Sequence, residues 1–546
     1  MCVTYIYTHT RNTHTERERL WSTSPSGVIN GTSKQLLTTA IICLTFFCEN
    51  SIAQGSKLIM TKFGELISIT LRLTELSISA FVHITYAASI LFSAVAQDAR
   101  EFITSGSIVK CATLKAFKNA ISTQTSANAD SQSEITLEEA VQATSTIVDG
   151  HGDAPIVLVH GIFGFGKGKM GRLSYWAGAE EKDVRVLVPD LGPLTSIHDR
   201  ARELFYFLKG GRVDYGLEHS HKFGHCRYGR LYESGNYEEW DEHHPVHFVC
   251  HSTGTQVVRI LQQMLADKRF EGFEEITNAD WVLSLTSLSG VLNGCTRIYL
   301  DGINPEDGHS LTSISLLQLL RIGVVIYEWL DISVLKRYYG FGFDHFDLSW
   351  RKIGLRGLVK SLLYETGPFA SRDWIGPDLS IHSAVKCNSN LQTFPNTFYF
   401  SYATRMTKRF LGFTVPSSII EIHPLLCLRA FQMCQWRHPT HAPVPYHGYR
   451  DEDWHDNDGA LNTISMLFPA FPTPHPNCRL GPDYKDGQSL QPGIWYYTLI
   501  EGDHIFFIIS KERAGNRFDL LYTSIFERCR KQMRRLITDP RLVEVI

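Results

Sequence analysis

A serine between an apolar run and a helical pattern is the residue best suited to act as a nucleophile. The stretch from Val246 to Gly254 reads Val-His-Phe-Val-Cys-His-Ser-Thr-Gly. A strand, a tight turn and a helix in that order would lift the Ser252 hydroxyl above a sheet, with a helix N-terminus behind it that favours negative charge. The usual pattern is Gly-x-Ser-x-Gly, and Cys250 replaces its first glycine. Because a bare Ser-x-Gly match is common by chance, an ordinary strand-helix turn with a capping serine is the alternative.

A serine nucleophile needs an imidazole as general base and a carboxylate that orients the imidazole. His504 lies late in the chain beside an apolar run, and Asp458 lies in a His-Asp-Asn-Asp-Gly turn at 455–459. Both fit the order nucleophile, acid, base that accompanies this kind of turn. Asp456 in the same turn is a rival for the acid on spacing alone.

Backbone N–H groups after the first strand and after the nucleophile are the expected oxyanion donors. These positions predict Ile162, in the run His-Gly-Ile-Phe-Gly at 160–164, and Thr253. The glycines that follow also form Gly-x-Gly-x-x-Gly at 166–171, with Asp190 about twenty residues on, as in a dinucleotide-binding loop. That pattern should start directly after the strand, and here it starts seven residues late. We therefore expect no nucleotide.

The elements that must position these residues follow an α/β pattern from Ala154 onward, because β-branched runs alternate with helical stretches. The predicted strands are Ile156–Val159, Val184–Val188, Val246–Cys250, Val282–Leu288 and Thr397–Ser401, and Gln256–Leu265 is a predicted helix.

A chain of 546 residues that is 43% hydrophobic can bury a large core. Lys and Arg number 53 against 56 Asp and Glu, so no basic excess points to nucleic acid. Twelve cysteines without a Cys-x-x-Cys pair argue against a zinc ribbon.

The N-terminal part has a different texture. Leu76–Ala96 contains no Asp, Glu, Lys or Arg over 21 residues, which predicts a membrane span or a membrane-embedded anchor. A buried or interfacial helix is the alternative. We predict an atypical extension at 1–59 with Met60 as a natural start, an anchor segment at 60–97, a linker at 98–150 and one catalytic domain at 151–546. The protein is therefore expected to be membrane-associated.

Several separated blocks resemble the zinc-containing thermoalkalophilic lipases of bacteria, and the stretch from about Leu71 to Ile546 resembles the related membrane-associated lipase-like proteins of plants. The blocks are Ala154–Gly161, Leu191–Ser196 with Asp199–Ala201, Gly210–Gly216 and Asn457–Met466. The resemblance implies an α/β-hydrolase fold and triacylglycerol lipase-like hydrolysis of carboxylic esters. It implies Ser252 as nucleophile, Asp458 rather than Asp456 as acid, and His504 as base. The chain departs from the lipases at Cys250, where they carry Ala, and at Thr255, where they carry Gly.

The same resemblance implies a structural zinc ion in an inserted subdomain, held by Asp199, His219, His225 and Asp373. Two imidazoles and two carboxylates fill four positions, as a closed structural site requires. His221 is a competing ligand on spacing alone. The calcium site of these lipases uses a Glu two residues after the catalytic His, and this chain has Phe506 there. A phenyl ring cannot bind calcium, so we expect no calcium at that position.

The apolar segment Leu311–Leu335 is interrupted by Arg321, Glu328 and Asp331. We predict a helical lid over the site, and a core helix is the alternative. Two other functions stay open from the sequence. One is a non-catalytic, membrane-anchored protein of the same fold that binds a lipid or a partner. The other is acyl transfer from a lipid ester to an alcohol instead of water.

Overall fold

The computed structural model describes residues 70–96, 154–480, 490–508 and 515–532, apart from 72, 91, 95 and 172. The predicted extension at 1–59, Met60 and the predicted linker at 98–150 lie outside the described residues. The chain divides into two compact units, Met1–Arg72 and Leu73–Ile546, and all that follows concerns the second.

A seven-stranded sheet in which every neighbouring pair is parallel forms the centre of this unit. The strands in chain order are β1 Ile156–Val159, β2 Val186–Leu187, β3 Gly211–Asp214, β4 Tyr228–Tyr232, β5 Val246–His251, β6 Val282–Leu288, β7 Phe398–Arg405, β8 Thr407–Phe410, β9 Phe413–Pro416, β10 Asn477–Arg479 and β11 Trp495–Glu501. The sheet order is β10-β11-β7-β6-β5-β1-β2. Strands β3 with β4, and β8 with β9, form separate antiparallel pairs.

Helices connect and cover these strands. They are α1 Leu73–Ala94, α2 Ile197–Lys209, α3 Leu217–Phe223, α4 Gly254–Ala266, α5 Arg297–Asp301, α6 Leu316–Leu330, α7 Ser333–Tyr338, α8 Trp350–Leu362, α9 Pro368–Ser371, α10 Ile375–Asp378, α11 Ile381–Asn390, α12 Pro424–Cys434, α13 Thr463–Leu467 and α14 Asn516–Glu527. Short 3₁₀ turns include Asp451–Trp454 and His504–Phe507. The α/β class predicted from the sequence is confirmed.

All five predicted strands are present, and β1 and β6 have the predicted bounds. Strand β2 is shorter than predicted because Val184 is fully exposed and only Val186 and Leu187 pair with β1. Strand β7 runs four residues further than predicted, to Arg405, since it pairs with β11 along that whole length.

Both faces of the sheet are covered, as expected of parallel strands. In β1 the alternating residues Val157 and Val159 enter one core, and Ile156 and Leu158 enter the other. A sheet that is packed against other elements on both faces is rigid. In such sheets, ligand-binding and catalytic sites usually lie in the loops at the carboxyl ends of the strands.

Helix α1 begins within the predicted anchor segment and has 22 residues with a mean hydropathy of 1.5 in its most apolar window. Within the described ranges, it is the one helix long and apolar enough to cross a membrane by length and composition.

The predicted lid segment folds as α6 and α7 rather than as one helix. The charge of Arg321 is buried, and its guanidinium donates to the carbonyl oxygens of Ser361 and Leu362 at the end of α8, both at 2.9 Å. Glu328 is buried against the Lys336 ammonium at 2.9 Å. The charged residues Arg321 and Glu328 therefore bind α6 to its neighbouring elements. The role of this segment as a lid stays a prediction.

Candidate active site and metal centre

Ser252 stands on a sharp turn between β5 and α4. Its backbone has φ 55, a left-handed conformation that non-glycine residues seldom adopt and that is held at some energetic cost. The turn is fixed by its N–H, which donates to the Leu288 carbonyl at 3.0 Å, and by its carbonyl, which accepts from Thr255 N–H at 3.2 Å. The predicted strand, turn and helix around this serine are therefore present, with the 13-residue α4 starting two residues later.

Gly254 shows why the position two residues after the serine must lack a side chain. A Cβ there would lie 2.3 Å from the carbonyl oxygen of Val159 in β1. Helix α4 thus starts in direct contact with the sheet. Thr255, which stands where the lipases carry Gly, is fully buried and donates its hydroxyl to Ser287 at 3.1 Å.

Asp458 and His504 form a buried carboxylate–imidazole pair. The Nδ1 of His504 lies 2.8 Å from Oδ2 of Asp458, so Nδ1 carries the proton and Nε2 keeps its lone pair. The same carboxylate accepts from the hydroxyl of Thr404 and from the backbone N–H groups of Ala460 and Leu461. Burial alone would raise the pKa of Asp458, but His504 and these hydrogen bonds hold the pKa below its usual value.

Asp456, the rival acid, points elsewhere. Its carboxylate accepts from the hydroxyl of Thr407 at 2.7 Å. Of the two carboxylates in the turn, the structure therefore brings Asp458 to His504.

His251 links the serine turn to His504, and spacing alone did not single it out. Its Nε2 lies 3.1 Å from the His504 carbonyl oxygen, which can only accept, so Nε2 carries the proton. Its Nδ1 must then accept from the Tyr175 hydroxyl at 2.7 Å, and the Tyr175 oxygen accepts from Gly161 N–H at 3.1 Å. Burial and then the charge of His504 lower the pKa of His251 well below its usual value, which keeps it neutral.

Through His251 the turn of Ser252 and the residue His504 are neighbours. The rings of His251 and His504 have centroids 4.8 Å apart. Among the described contacts, no hydrogen bond joins Ser252 directly to His504. Such a bond is often long in a ligand-free site and shortens only when substrate is bound.

The loop after β1 lies against Ser252. A Cβ on Gly161 would lie 2.8 Å from the Cβ of Ser252, so glycine permits this close approach. In the described structure, the N–H groups of Ile162 and Thr253 have no hydrogen-bond acceptor. Two unpaired donors beside a serine are what an oxyanion needs.

Arg200 holds the two donor segments together. Its guanidinium is fully buried and donates to the hydroxyl of Thr253 at 2.9 Å and to the carbonyl oxygen of His160 at 2.5 Å. His160 is buried as well, and burial followed by the Arg200 charge lowers its pKa to about 3. Arg200 was visible in the sequence only as part of a block shared with the lipases.

The four predicted zinc ligands come together, with donor atoms within 4.8 Å of one another. Nε2 of His219 lies 3.2 Å from Asp199 Oδ1 and 3.3 Å from Asp373 Oδ2, and Nε2 of His225 lies 3.2 Å from Asp373 Oδ2. The His225 Nε2 is buried, and its approach to Asp373 lacks the geometry of a hydrogen bond, while its Nδ1 donates to the Cys226 carbonyl. His221 is exposed and lies outside this group.

Two further histidines support the group. Nε2 of His345 lies 3.2 Å from the second oxygen of Asp199, and His198 stacks on His219 with centroids 3.6 Å apart. No sequence signal pointed to His345, because it lies 146 residues from Asp199.

The fold and the site define an α/β protein with a buried serine on a sharp turn between a strand and a helix. Comparison with known proteins shows what this chain is similar to. Residues 152–279 match the family model described as "Lipase-like, C-terminal domain". A lipase of Staphylococcus hyicus is 29% identical over 392 residues, covering 68% of this chain and 56% of that protein. Lipase 2 of Staphylococcus aureus is 27% identical over 408 residues, covering 68% and 53%. The chain spans about half the length of the curated relatives it matches.

Solved structures give the same picture. The crystal structure of Staphylococcus hyicus lipase matches with a TM-score of 0.58 and 25% identity, covering 72% of this chain and 99% of that one. Lipase 1 from Pelosinus fermentans matches with a TM-score of 0.51 and 27% identity, covering 68% and 98%. Together these matches show that the chain is similar in sequence and fold to bacterial lipases.

Proposed function

We propose that the protein is a serine carboxylic ester hydrolase that acts on lipid esters. The observation that carries the proposal is the buried pair of Asp458 and His504, joined at 2.8 Å beside the strained turn of Ser252. A carboxylate that fixes one imidazole nitrogen leaves the other free to accept a proton from a serine hydroxyl. The lipase names of the relatives support lipid esters as the substrate class.

In the first step, the Oγ of Ser252 attacks the ester carbonyl carbon while Nε2 of His504 takes the hydroxyl proton. Asp458 stabilises the imidazolium that forms and keeps Nδ1 protonated. The imidazolium then gives its proton to the leaving alcohol, and the acyl group stays on Ser252. In the second step water attacks the acyl-enzyme with His504 again as base, and the acid is released.

The N–H groups of Ile162 and Thr253 stabilise the oxyanion formed in each step. Each such donor contributes about 3–4 kcal/mol to the lowering of the barrier in a serine hydrolase. Arg200 keeps both segments in place through Thr253 and His160, so these donors are positioned before the substrate arrives.

A zinc ion fits the group of Asp199, His219, His225 and Asp373, and we propose that these residues bind one. Ligands about 2.0–2.2 Å from a tetrahedral zinc lie about 3.3–3.6 Å from each other, close to the 3.2–3.3 Å measured between these donors. The buried Nε2 of His225 and the two buried carboxylates are further support. When bound, zinc would neutralise the carboxylates and tie α2, α3 and the 373 loop together.

The test of the main proposal is reaction with a fluorophosphonate probe together with hydrolysis of short and long acyl esters. We expect Ser252→Ala to lose both with an unchanged melting temperature. Ser284→Ala is the matched control, because Ser284 is also fully buried and lies in the neighbouring strand β6, bonded to His247. Probe labelling that persists in Ser252→Ala would refute the proposal.

A further inference from the structure

Helix α1 makes contact with the enzyme body along its whole length through one face. The contact residues recur every three or four positions, as one face of a helix requires: Glu75, Ser79, His83, Tyr86, Ile90 and Ala94. Oε1 of Glu75 lies 2.5 Å from the Arg429 guanidinium in α12, and the Tyr86 ring meets His423 with centroids 5.1 Å apart. Ala94 is fully buried in the second core.

These contacts decide how the helix can sit relative to a bilayer. Glu75 and Ala94 are 19 residues apart, or about 28 Å along the axis, and a hydrocarbon core is about 30 Å thick. A crossing helix would carry α12 into the bilayer with it. Arg429 in α12 is buried against Asp301 as well as Glu75, and the charges of Arg429 and Asp301 also act on His83, near the middle of α1. Such charges are costly inside a hydrocarbon core. The contacts therefore favour a helix that lies along the body.

The opposite face of α1 is exposed and uncharged, and its largest side chains are apolar. Phe81, Ile84 and Phe92 have 71%, 68% and 75% of their surface exposed. These three side chains lie about half a turn away from the contact face. The sequence between Phe81 and Phe92 contains no charged residue. An apolar stripe on a helix that is packed on its other side is typical of a helix lying in the membrane interface.

The β8–β9 hairpin presents a second apolar surface. Its tip exposes Phe410, Leu411 and Phe413 at 59%, 82% and 71%. The turn has positive φ at both Leu411 and Gly412, the conformation of a tight hairpin turn. Ile420, shortly after the hairpin, is 93% exposed.

The hairpin and α1 flank the same helix. Strand β9 packs against α12, and α12 also carries Arg429 and follows His423, the two contacts of α1. The backbone N–H of His423 donates to Asp503, the residue before His504, at 2.8 Å. The two apolar surfaces therefore belong to elements that pack on the same helix, next to the loop that carries the proposed base.

We propose that the exposed face of α1 and the β8–β9 tip together dock the protein on the surface of a bilayer that contains anionic lipid, with α1 lying flat in the interface. The exposed cations Arg405, Lys408 and Arg409 stand at the base of the apolar tip, where lipid phosphates would meet them. This attachment does not depend on the chemistry of Ser252.

Flotation of the full-length protein with sealed vesicles of phosphatidylcholine, with and without 30% phosphatidylglycerol, tests the surface. We expect Phe410→Ser combined with Leu411→Ser and Phe413→Ser to lower binding at least tenfold. The matched control changes three equally exposed apolar residues elsewhere, Leu231, Ile276 and Leu520, to Ser. Lys408→Gln with Arg409→Gln should lower the preference for anionic vesicles by about fivefold for each cation removed. Unchanged vesicle binding by the hairpin variant, at the wild-type melting temperature, would overturn the proposal, and so would wild-type protein that binds neither vesicle.

The orientation of α1 relative to the bilayer is tested with a fluorescent amino acid placed at Thr74, Thr85 or Phe92, which share the exposed face of the helix. The depth of each label is measured from its quenching by lipids that are brominated at shallow or deep acyl carbons. A flat helix places all three positions at one shallow depth. Deeper quenching at Thr85 than at Thr74 would show a crossing helix and contradict the proposal.

Discussion

The hydroxyl of Tyr175 donates to Nδ1 of His251 at 2.7 Å and accepts from Gly161 N–H, so one side chain connects the loop at 160–164 to the histidine that contacts His504. Burial raises the pKa of Tyr175, so the hydroxyl stays protonated and can donate.

We expect Tyr175→Phe to lower kcat about 10- to 100-fold, which is about 1.4–2.7 kcal/mol of barrier, with KM little changed. The loss would arise because, without the Tyr175 hydroxyl, the loop at Gly161 and the His251 ring that contacts His504 would be less precisely positioned. Steady-state kinetics on a soluble ester and the pH profile of kcat/KM measure it. Tyr399→Phe is the control, because that buried hydroxyl bonds to Gln262 instead. Equal effects of the two changes would mean that Tyr175 acts only through stability.

The choice of acid gives a second prediction. Asp458→Asn should lower kcat about 10³- to 10⁴-fold, since an amide no longer fixes the tautomer of His504 or stabilises its charge. Asp456→Asn, two residues away and bonded to Thr407, should change kcat less than tenfold. A larger loss from Asp456→Asn than from Asp458→Asn would contradict the proposed triad.

The metal centre gives a third. His225→Ala should lower the zinc content, measured by atomic emission on the purified protein, from about one ion per chain to near zero. It should also lower the melting temperature by several degrees, because a ligand that binds only the folded state stabilises it. His221→Ala is the matched control, since His221 lies on the same stretch but is exposed. Full zinc content in His225→Ala would exclude this set of ligands.

Acid sensitivity of the fold gives a fourth. Burial, followed by the charge of Arg530, lowers the pKa of His247 from 6.5 to about 3. Between these values the unfolded chain binds a proton that the folded chain does not bind. The stabilising contribution of neutral His247 is therefore complete above about pH 6.5 and decreases as the pH falls towards 3.

Urea unfolding at pH 7, 6 and 5 measures this contribution. His247→Gln should reduce the loss of unfolding free energy by up to about 1.4 kcal/mol per pH unit, the effect of one proton. His243→Gln is the control, because that side chain is 78% exposed. Identical pH slopes for wild type and His247→Gln would show that His247 is not the group responsible.

Local patterns in the sequence were enough to predict several strands and some of the candidate site residues. The bounds of strands β1 and β6 were predicted to the residue. Strand β1 is a continuous run of β-branched and aliphatic residues, whereas β6 mixes Val and Leu with Ser and Thr. Ser252 and His504 followed from the turn pattern and the chain order. The choice between Asp458 and Asp456 was open from spacing, and it depends on which carboxylate the fold turns towards His504.

The supporting residues could not be found in this way. Tyr175 and His251 are 76 residues apart, and neither lies in a motif that demands the other. Arg200 meets Thr253 across 53 residues, and a buried arginine has no sequence pattern. The sequence predicted a helical lid segment but not where its helices end. Helix α6 ends at Asp331, which adopts a left-handed conformation that the apolar pattern does not reveal.

The position of β11 in the sheet has a consequence for when activity can begin. Strand β11 pairs with β7, and His504 follows three residues after it, 253 residues beyond His251. A growing chain can complete β1, β5 and β6, and so present the nucleophile, long before the base exists. Under the proposed mechanism the chain stays inactive during most of its own synthesis, because His504 is added late. Under that mechanism, ester cleavage requires the last strands of the sheet, so an incompletely folded chain could not attack nearby lipids.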